Sequence, residues 1–242
     1  MTVDIEWSER VCVVTIDRPE KRNAVDLGTL RLLLDAQSEA LAGDCRALVL
    51  TGRTPAFCSG ADLGGVEHGV FTDTLLEVLV GFGRLPCATI AAIDGPTLGA
   101  GVQLAAACDL RMATASSRFG VPAAKLGLAV DSWTIERVGR EAGWSVARYL
   151  LLSADTMTAE QLVGGFVHRI GALADALEWA ASIAKLAPLT IAAHKMALER
   201  LGGAPLGFDQ VEAARLAAWE SDDAVEGRTA FLEKRAPEFR GR

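Results

Sequence analysis

Two short stretches of small residues stand out for what their backbones could do. Phe57-Cys58-Ser59-Gly60-Ala61-Asp62-Leu63 and Leu98-Gly99-Ala100-Gly101 each follow an apolar, strand-like run, and the second opens a helix. The first N–H groups of a helix have no acceptor within it. The helix dipole adds positive potential at the same place. Two such loops side by side would aim two N–H donors at one carbonyl oxygen, as an oxyanion hole does for an acyl or thioester group. Small residues keep Cβ atoms out of the ligand's way. Tight turns between strands and helices use the same residues, so the loops alone leave both readings open.

The elements that must hold these loops read as an α/β chain. Residues 2–17 alternate like two strands broken at Ser8-Glu9-Arg10, a hairpin. Arg18-Pro19-Glu20-Lys21-Arg22-Asn23 is a polar loop. A helical pattern runs from Leu27 to Leu41 with a stop at Gly43. Ala47–Thr51 and Cys87–Ile93 are apolar runs of the kind buried on both sheet faces. Phe71–Phe82 and Val102–Ala107 read as helices and Asp109–Ala113 as a third strand. The alternation predicts stacked ββα units. From Ser132 the pattern is helical, over 132–152, 158–163, 171–187, 188–201, 207–219 and 222–234.

Composition limits the function classes. Of 242 residues half are hydrophobic, 24 are Lys or Arg and 31 are Asp or Glu, for a net charge of −7. This suits a packed globular chain with a large core. The acidic balance argues against nucleic-acid binding but leaves room for a small anionic ligand. The longest charge-free run, Gly95 to Cys108, has 14 residues and is too short to span a bilayer. The opening MTVDIEWSER lacks the pattern of a signal peptide. Cys12, Cys45, Cys58, Cys87 and Cys108 have no CxxC spacing and read as reduced core thiols of a cytoplasmic protein. His68, His168 and His194 are scattered, so no metal site is proposed.

Taken together, several blocks resemble the enoyl-CoA hydratase/isomerase (crotonase) superfamily. They are Arg18-Pro19-Glu20-Lys21-Arg22-Asn23-Ala24, Ala56 to Leu63, Ile93 to Gly101, Cys108-Asp109-Leu110-Arg111 and the closing Glu226 to Phe239. The resemblance covers the chain in order and at family spacing. It implies a spiral of ββα units, a helical C-terminal trimerisation region and a coenzyme A thioester as ligand, with no separate cofactor. A crotonase core over 1–190 and a helical oligomerisation region over 191–242 follow from it, as a homotrimer or dimer of trimers. The apolar positions Leu206, Phe208, Val211, Leu216 and Trp219 would pack between subunits.

Carried over by position, the oxyanion donors would be the N–H groups of Ala61 and Ala100, the second position being usually Gly. Gly60, Leu63 and Gly99 flank them. Arg22 and Ala24 would lie along the pantetheine and adenine path. Phe231 and Lys234 would approach the adenine and phosphate end; without the surrounding block they would read as helix packing and a solvated charge. Asp62 reads as holding its loop.

The chain departs from the family where hydration needs acids. The two glutamates of the family's hydratases correspond to Gln103 and Ala123. An amide can hold a water but cannot take its proton, and alanine does neither. Asp131, in Gly127-Leu128-Ala129-Val130-Asp131-Ser132-Trp133-Thr134, resembles the proton-carrying aspartate of dienoyl-CoA isomerases. It also stands where a helix N-cap belongs. Trp133 suits either a core or an acyl-chain pocket. The combination is most similar to mycobacterial crotonase-like proteins of mycolic-acid metabolism that bind fatty acyl-CoA without evident hydration. The expected function is therefore fatty-acyl-CoA binding. The alternatives are a hydratase or an isomerase using Asp131, and a purely structural oligomer component, which has no need of the ligand loops.

Overall fold

Val3–Ser8 (β1) and Val11–Ile16 (β2) close into an antiparallel hairpin, with Ser8 opposite Val11 and Glu9 turning the chain at φ 53°. Ala47–Gly52 (β3) and Ala88–Ile93 (β4) join β2 in parallel. Their apolar runs are buried on both faces, as central parallel strands require. Pro96–Leu98 (β5), Leu110–Ala113 (β6), Arg118–Gly120 (β7), Thr156–Thr158 (β8) and Arg169–Ile170 (β9) complete two sheets. The larger has the order β1-β2-β3-β4-β6-β9, the smaller β5-β7-β8. The computed structural model describes residues 2–64, 69–201 and 219–237.

Helices follow the strands. Leu27–Ala42 (α1) starts where the Asp26 side chain accepts the Thr29 N–H, at 2.7 Å. Val70–Arg84 (α2) buries Phe71, Leu75, Val78, Leu79 and Phe82, one face at helical spacing. Ala100–Ala107 (α3) follows β4 and β5, and all eight of its residues are buried. Strand, strand, helix is the ββα unit expected from the sequence.

The chain divides into two compact units, residues 1–119 with 157–202, and 120–156 with 203–242. This division is not the boundary at 190 that the sequence suggests. The first unit also holds Ala159–Leu162 (α4), Leu173–Ile183 (α5) and Pro188–Leu201 (α6). Its core packs Val11, Ala47, Val49, Ile90, Ala92 and Met112 of the sheet against Ala176 and Ala180 of α5.

The second unit holds a 3₁₀ turn at Pro122–Leu126, helices Ser132–Ala142 (α7) and Trp144–Arg148 (α8), a π-helical turn at Tyr149–Ser153, and Asp222–Glu233 (α9). There the α9 backbone presses on the 3₁₀ segment. A Cβ at Gly127 would collide with Asp223 O, and one at Gly227 with Leu126 O. Trp219 Nε1 donates to Ala129 O at 2.8 Å.

The single helix expected over 132–152 is broken at Gly143, whose φ of 87° lies in the left-handed region. The helix expected at 158–163 is shorter, and Thr158 at the end of β8 forms its capping box. The helix expected at 171–187 ends at Ile183, ahead of Pro188. The one expected at 207–219, with Leu206, Phe208, Val211 and Leu216, lies almost wholly outside the described residues, as does His68. The second sheet was not legible, because its strands are three residues long. No single helix among the described residues is long and apolar enough to cross a membrane.

Candidate functional site

The two small-residue loops meet in the first unit. Cys58 pairs with Thr97 by a parallel bridge. The Leu98 N–H donates to Cys58 O at 2.9 Å, and the Cys58 N–H to Pro96 O at 3.3 Å. The approach is tightest at two glycines. A Cβ on Gly101 would collide with Cys58 O, and one on Gly60, whose φ is 116°, would lie 3.2 Å from Leu98 O. A Cβ on Gly99 would sit 3.8 Å from the Gly60 Cα.

The Ala61 and Ala100 N–H groups stand one on each loop. Ala61 bridges Val25, but that exchange uses the Val25 N–H to Gly60 O and the Asp62 N–H to Val25 O, both 2.9 Å. Ala100 is the first residue of α3, after Gly99 at φ 51°. Neither the Ala61 nor the Ala100 N–H has an acceptor among the described residues. Two neighbouring loops with unsatisfied donors are what a carbonyl oxygen needs if it is to gain negative charge. The adjacent thiol adds no nucleophile, because burial pushes Cys58 up to about 12.

Buried polar side chains hold the first loop. Arg18 Nη1 donates to Ala24 O at 2.5 Å, and Nη2 lies 3.1 Å from both Asp62 and Asp26. Lys21 Nζ is 3.7 Å from Asp62. Asp62 therefore holds the loop, as its sequence position suggested. Burial opposes ionisation of Asp26, but the Thr29 N–H and hydroxyl together with Arg18 hold its carboxyl below the ordinary range. Asn23 is fully buried. Its Nδ2 donates to Arg53 O at 2.7 Å and Ala56 O at 2.5 Å, and its Oδ1 accepts the Arg18 N–H at 2.8 Å. Arg22, at φ 51°, accepts the Ser59 N–H at 3.0 Å. So Arg22, Ala24, Gly60, Ala61, Asp62, Leu63, Gly99 and Ala100 belong to one loop cluster. Arg18 and Asn23 organise it. Sequence reading placed both in the right block but gave them no role, because burial of a charge does not show in a polar loop.

Gln103, one turn into α3, is 5% exposed, and its N–H donates to Gly99 O at 3.2 Å. In the second unit Ala123 lies on the 3₁₀ turn and lines an apolar cavity of about 400 Å³, with Leu128, Val130, Ile135, Trp144 and Leu151. Asp131 is the N-cap of α7. Its Oδ1 accepts the Thr134 N–H and its Oδ2 the Thr134 hydroxyl, both at 2.9 Å. Trp133 is half-buried, with the Arg137 guanidinium 6.0 Å over its ring. Phe231 is exposed on α9, and Lys234 caps that helix at φ 55°. Among the described residues no three His, Cys, Asp or Glu side chains gather as metal ligands.

The family model described as Enoyl-CoA hydratase/isomerase matches residues 6–242. The chain is 41% identical over 241 residues to the probable enoyl-CoA hydratase echA6 of Mycobacterium tuberculosis, covering 99% of each. It is 33% identical over 251 residues to the 2,3-dehydroadipyl-CoA hydratase of Escherichia coli, covering 98% of each. A solved methylmalonyl-CoA decarboxylase in complex with 2-nitronate-propionyl-CoA has a TM-score of 0.92 at 26% identity, covering 100% of this chain and 99% of that one.

Proposed function

We propose that this chain, which belongs to the enoyl-CoA hydratase/isomerase family, binds a fatty-acyl-CoA thioester through the N–H groups of Ala61 and Ala100 and does not hydrate it. The observation that carries this reading is the contrast between two intact donors and two absent acids. The donors have no acceptor among the described residues and stand beside Gly60 and Gly101, where the loops pack closely. The positions of the hydratase glutamates hold Gln103 and Ala123. A positioned acid or base is worth about 10²–10⁴ in rate, so losing both leaves hydration without its proton carriers.

The second reading, an isomerase or hydratase working through Asp131, draws its support from the half-exposed position of that carboxylate. Its two oxygens already serve Thr134, which favours the capping role. Phe231, Lys234, Arg22, Ala24 and Trp133 stand in this proposal as ligand-lining residues. The exposed Val225, Phe231 and Leu232 of α9 support a homotrimer or dimer of trimers. A monomer by light scattering at micromolar concentration would rule that assembly out.

Titration calorimetry with a long-chain acyl-CoA tests the binding claim. Ala100 occupies the first helical position, where proline is tolerated, so Ala100→Pro removes a donor with little change to the helix. It should weaken binding about tenfold, or about 1.4 kcal/mol. A folded Ala100→Pro variant with native affinity would refute the donor assignment.

A further inference from the structure

Three cysteines of the first unit gather around the N-terminal ends of its central strands. Cys12 lies on β2 opposite Leu48, Cys45 precedes β3, and Cys87 immediately precedes β4. All are buried and free. Cys87 Sγ lies 3.8 Å from Cys45 Sγ, and Cys45 Sγ is 3.1 Å from Ala47 O. The Cys87 backbone is fixed independently. Its carbonyl accepts from Lys195 Nζ at 3.0 Å, and that ammonium also reaches Phe82 O at 2.7 Å and Asp109 Oδ2 at 2.8 Å.

We propose that Cys45 and Cys87 are a redox modification site, a thiol pair that a peroxide converts to a reversible disulfide stapling β3 to β4. The two sulfurs are already in contact at 3.8 Å, against about 2.05 Å in a disulfide. Their chemistry is unequal. The Cys87 S–H bonded to Cys45 draws the Cys45 thiol below its ordinary value. The same bond, with burial, pushes Cys87 up. Cys45 is also the more exposed of the two, at 9% against 3%. Cys45 is thus the attacking thiolate and Cys87 the resolving thiol.

In the first step the Cys45 thiolate attacks one peroxide oxygen. The O–O bond breaks, a sulfenic acid forms and hydroxide leaves. In the second, Cys87 sulfur attacks the Cys45 sulfur. The S–S bond forms, the S–O bond breaks, and the departing hydroxide takes up the Cys87 proton as water. Two thiols lose two electrons and two protons, and hydrogen peroxide becomes two waters. The cross-link spans 42 residues of sequence. It joins the ends of β3 and β4 remote from the loops that follow them, so its effect is on the stability of the strand pair.

The test uses the full chain treated with hydrogen peroxide, then alkylated under denaturing conditions and mapped by mass spectrometry. The expected result is loss of two of the five thiols, a Cys45–Cys87 cross-linked peptide reversed by dithiothreitol, and a higher urea midpoint for the oxidised protein. Cys87→Ser should leave a sulfenic acid on Cys45 that a dimedone probe traps, and Cys45→Ser should remove both signals. Both thiols still alkylatable after oxidation, or a bridge from Cys45 to Cys12, would overturn the assignment. A bridge that forms without raising the midpoint would overturn the staple. Mapping the wild-type chain decides the matter even if a serine variant fails to fold, and it does not depend on acyl-CoA binding.

Discussion

The loop cluster of the first unit and the 122–134 stretch of the second treat their polar groups in opposite ways. In the loops, the Arg18, Asn23 and Asp62 side chains are occupied with backbone and with neighbouring charges, and the Ala61 and Ala100 N–H groups are left without an acceptor among the described residues. In the stretch 122–134, Ala123 ends in a methyl group on an apolar cavity wall, and the carboxylate of Asp131 is held by Thr134 as a cap. The same thioester chemistry has two requirements, fixed dipoles for the oxyanion and titratable groups for the proton. On the function proposed above, the first is kept without the second, because the two sets of groups reside on separate elements.

Substitutions can break that comparison or sharpen it. The largest effect is expected from Arg18→Ala, which leaves Asp62 and Asp26 without their buried cation. It should cost about 3 kcal/mol in denaturant unfolding and weaken acyl-CoA binding as the loop loosens. Unchanged affinity would mean that the loop does not hold the ligand. Gly60→Ala forces a side chain into a φ of 116° and against Leu98 O. A loss of about 2 kcal/mol is expected, again with weaker binding.

The contrasting change, Asp131→Ala, should remove about 1 kcal/mol of stability through the lost cap and leave acyl-CoA affinity at the native value in calorimetry. The smallest effect belongs to Asp26. Its folded carboxyl is held below the unfolded value near 3.9. It therefore stabilises the fold above that pH, and the contribution disappears as pH falls through the lower folded value. Asp26→Asn should shallow the loss of stability below about pH 4 in acid titration followed by circular dichroism.

Much of the fold is legible in the sequence. The hairpin, β3, β4 and α1 carry long, regular patterns, and their ends agree with the structure within a few residues. The Asp131 cap follows from side-chain chemistry that acts over three residues. The loops were legible as loops because glycine and alanine leave few alternatives. What escaped depends on distant partners. Arg18 looks like one more charge in a polar loop until Asp62, 44 residues away, is placed beside it. Nothing in the spacing of Cys45 and Cys87 says that their sulfurs touch. The break in 132–152 rests on a single left-handed glycine, Gly143, which a helical pattern of apolar residues conceals.

The central claim is that donors without acids make a binder and not a hydratase. The most direct measurement is crotonyl-CoA hydration, followed by loss of enoyl thioester absorbance, on a preparation whose acyl-CoA binding has been confirmed by calorimetry. The account predicts saturable acyl-CoA binding with no hydration above the uncatalysed rate, and a measurable gain when Gln103→Glu and Ala123→Glu are combined. Robust native turnover that Asp131→Asn abolishes, with acyl-CoA affinity intact, would contradict it.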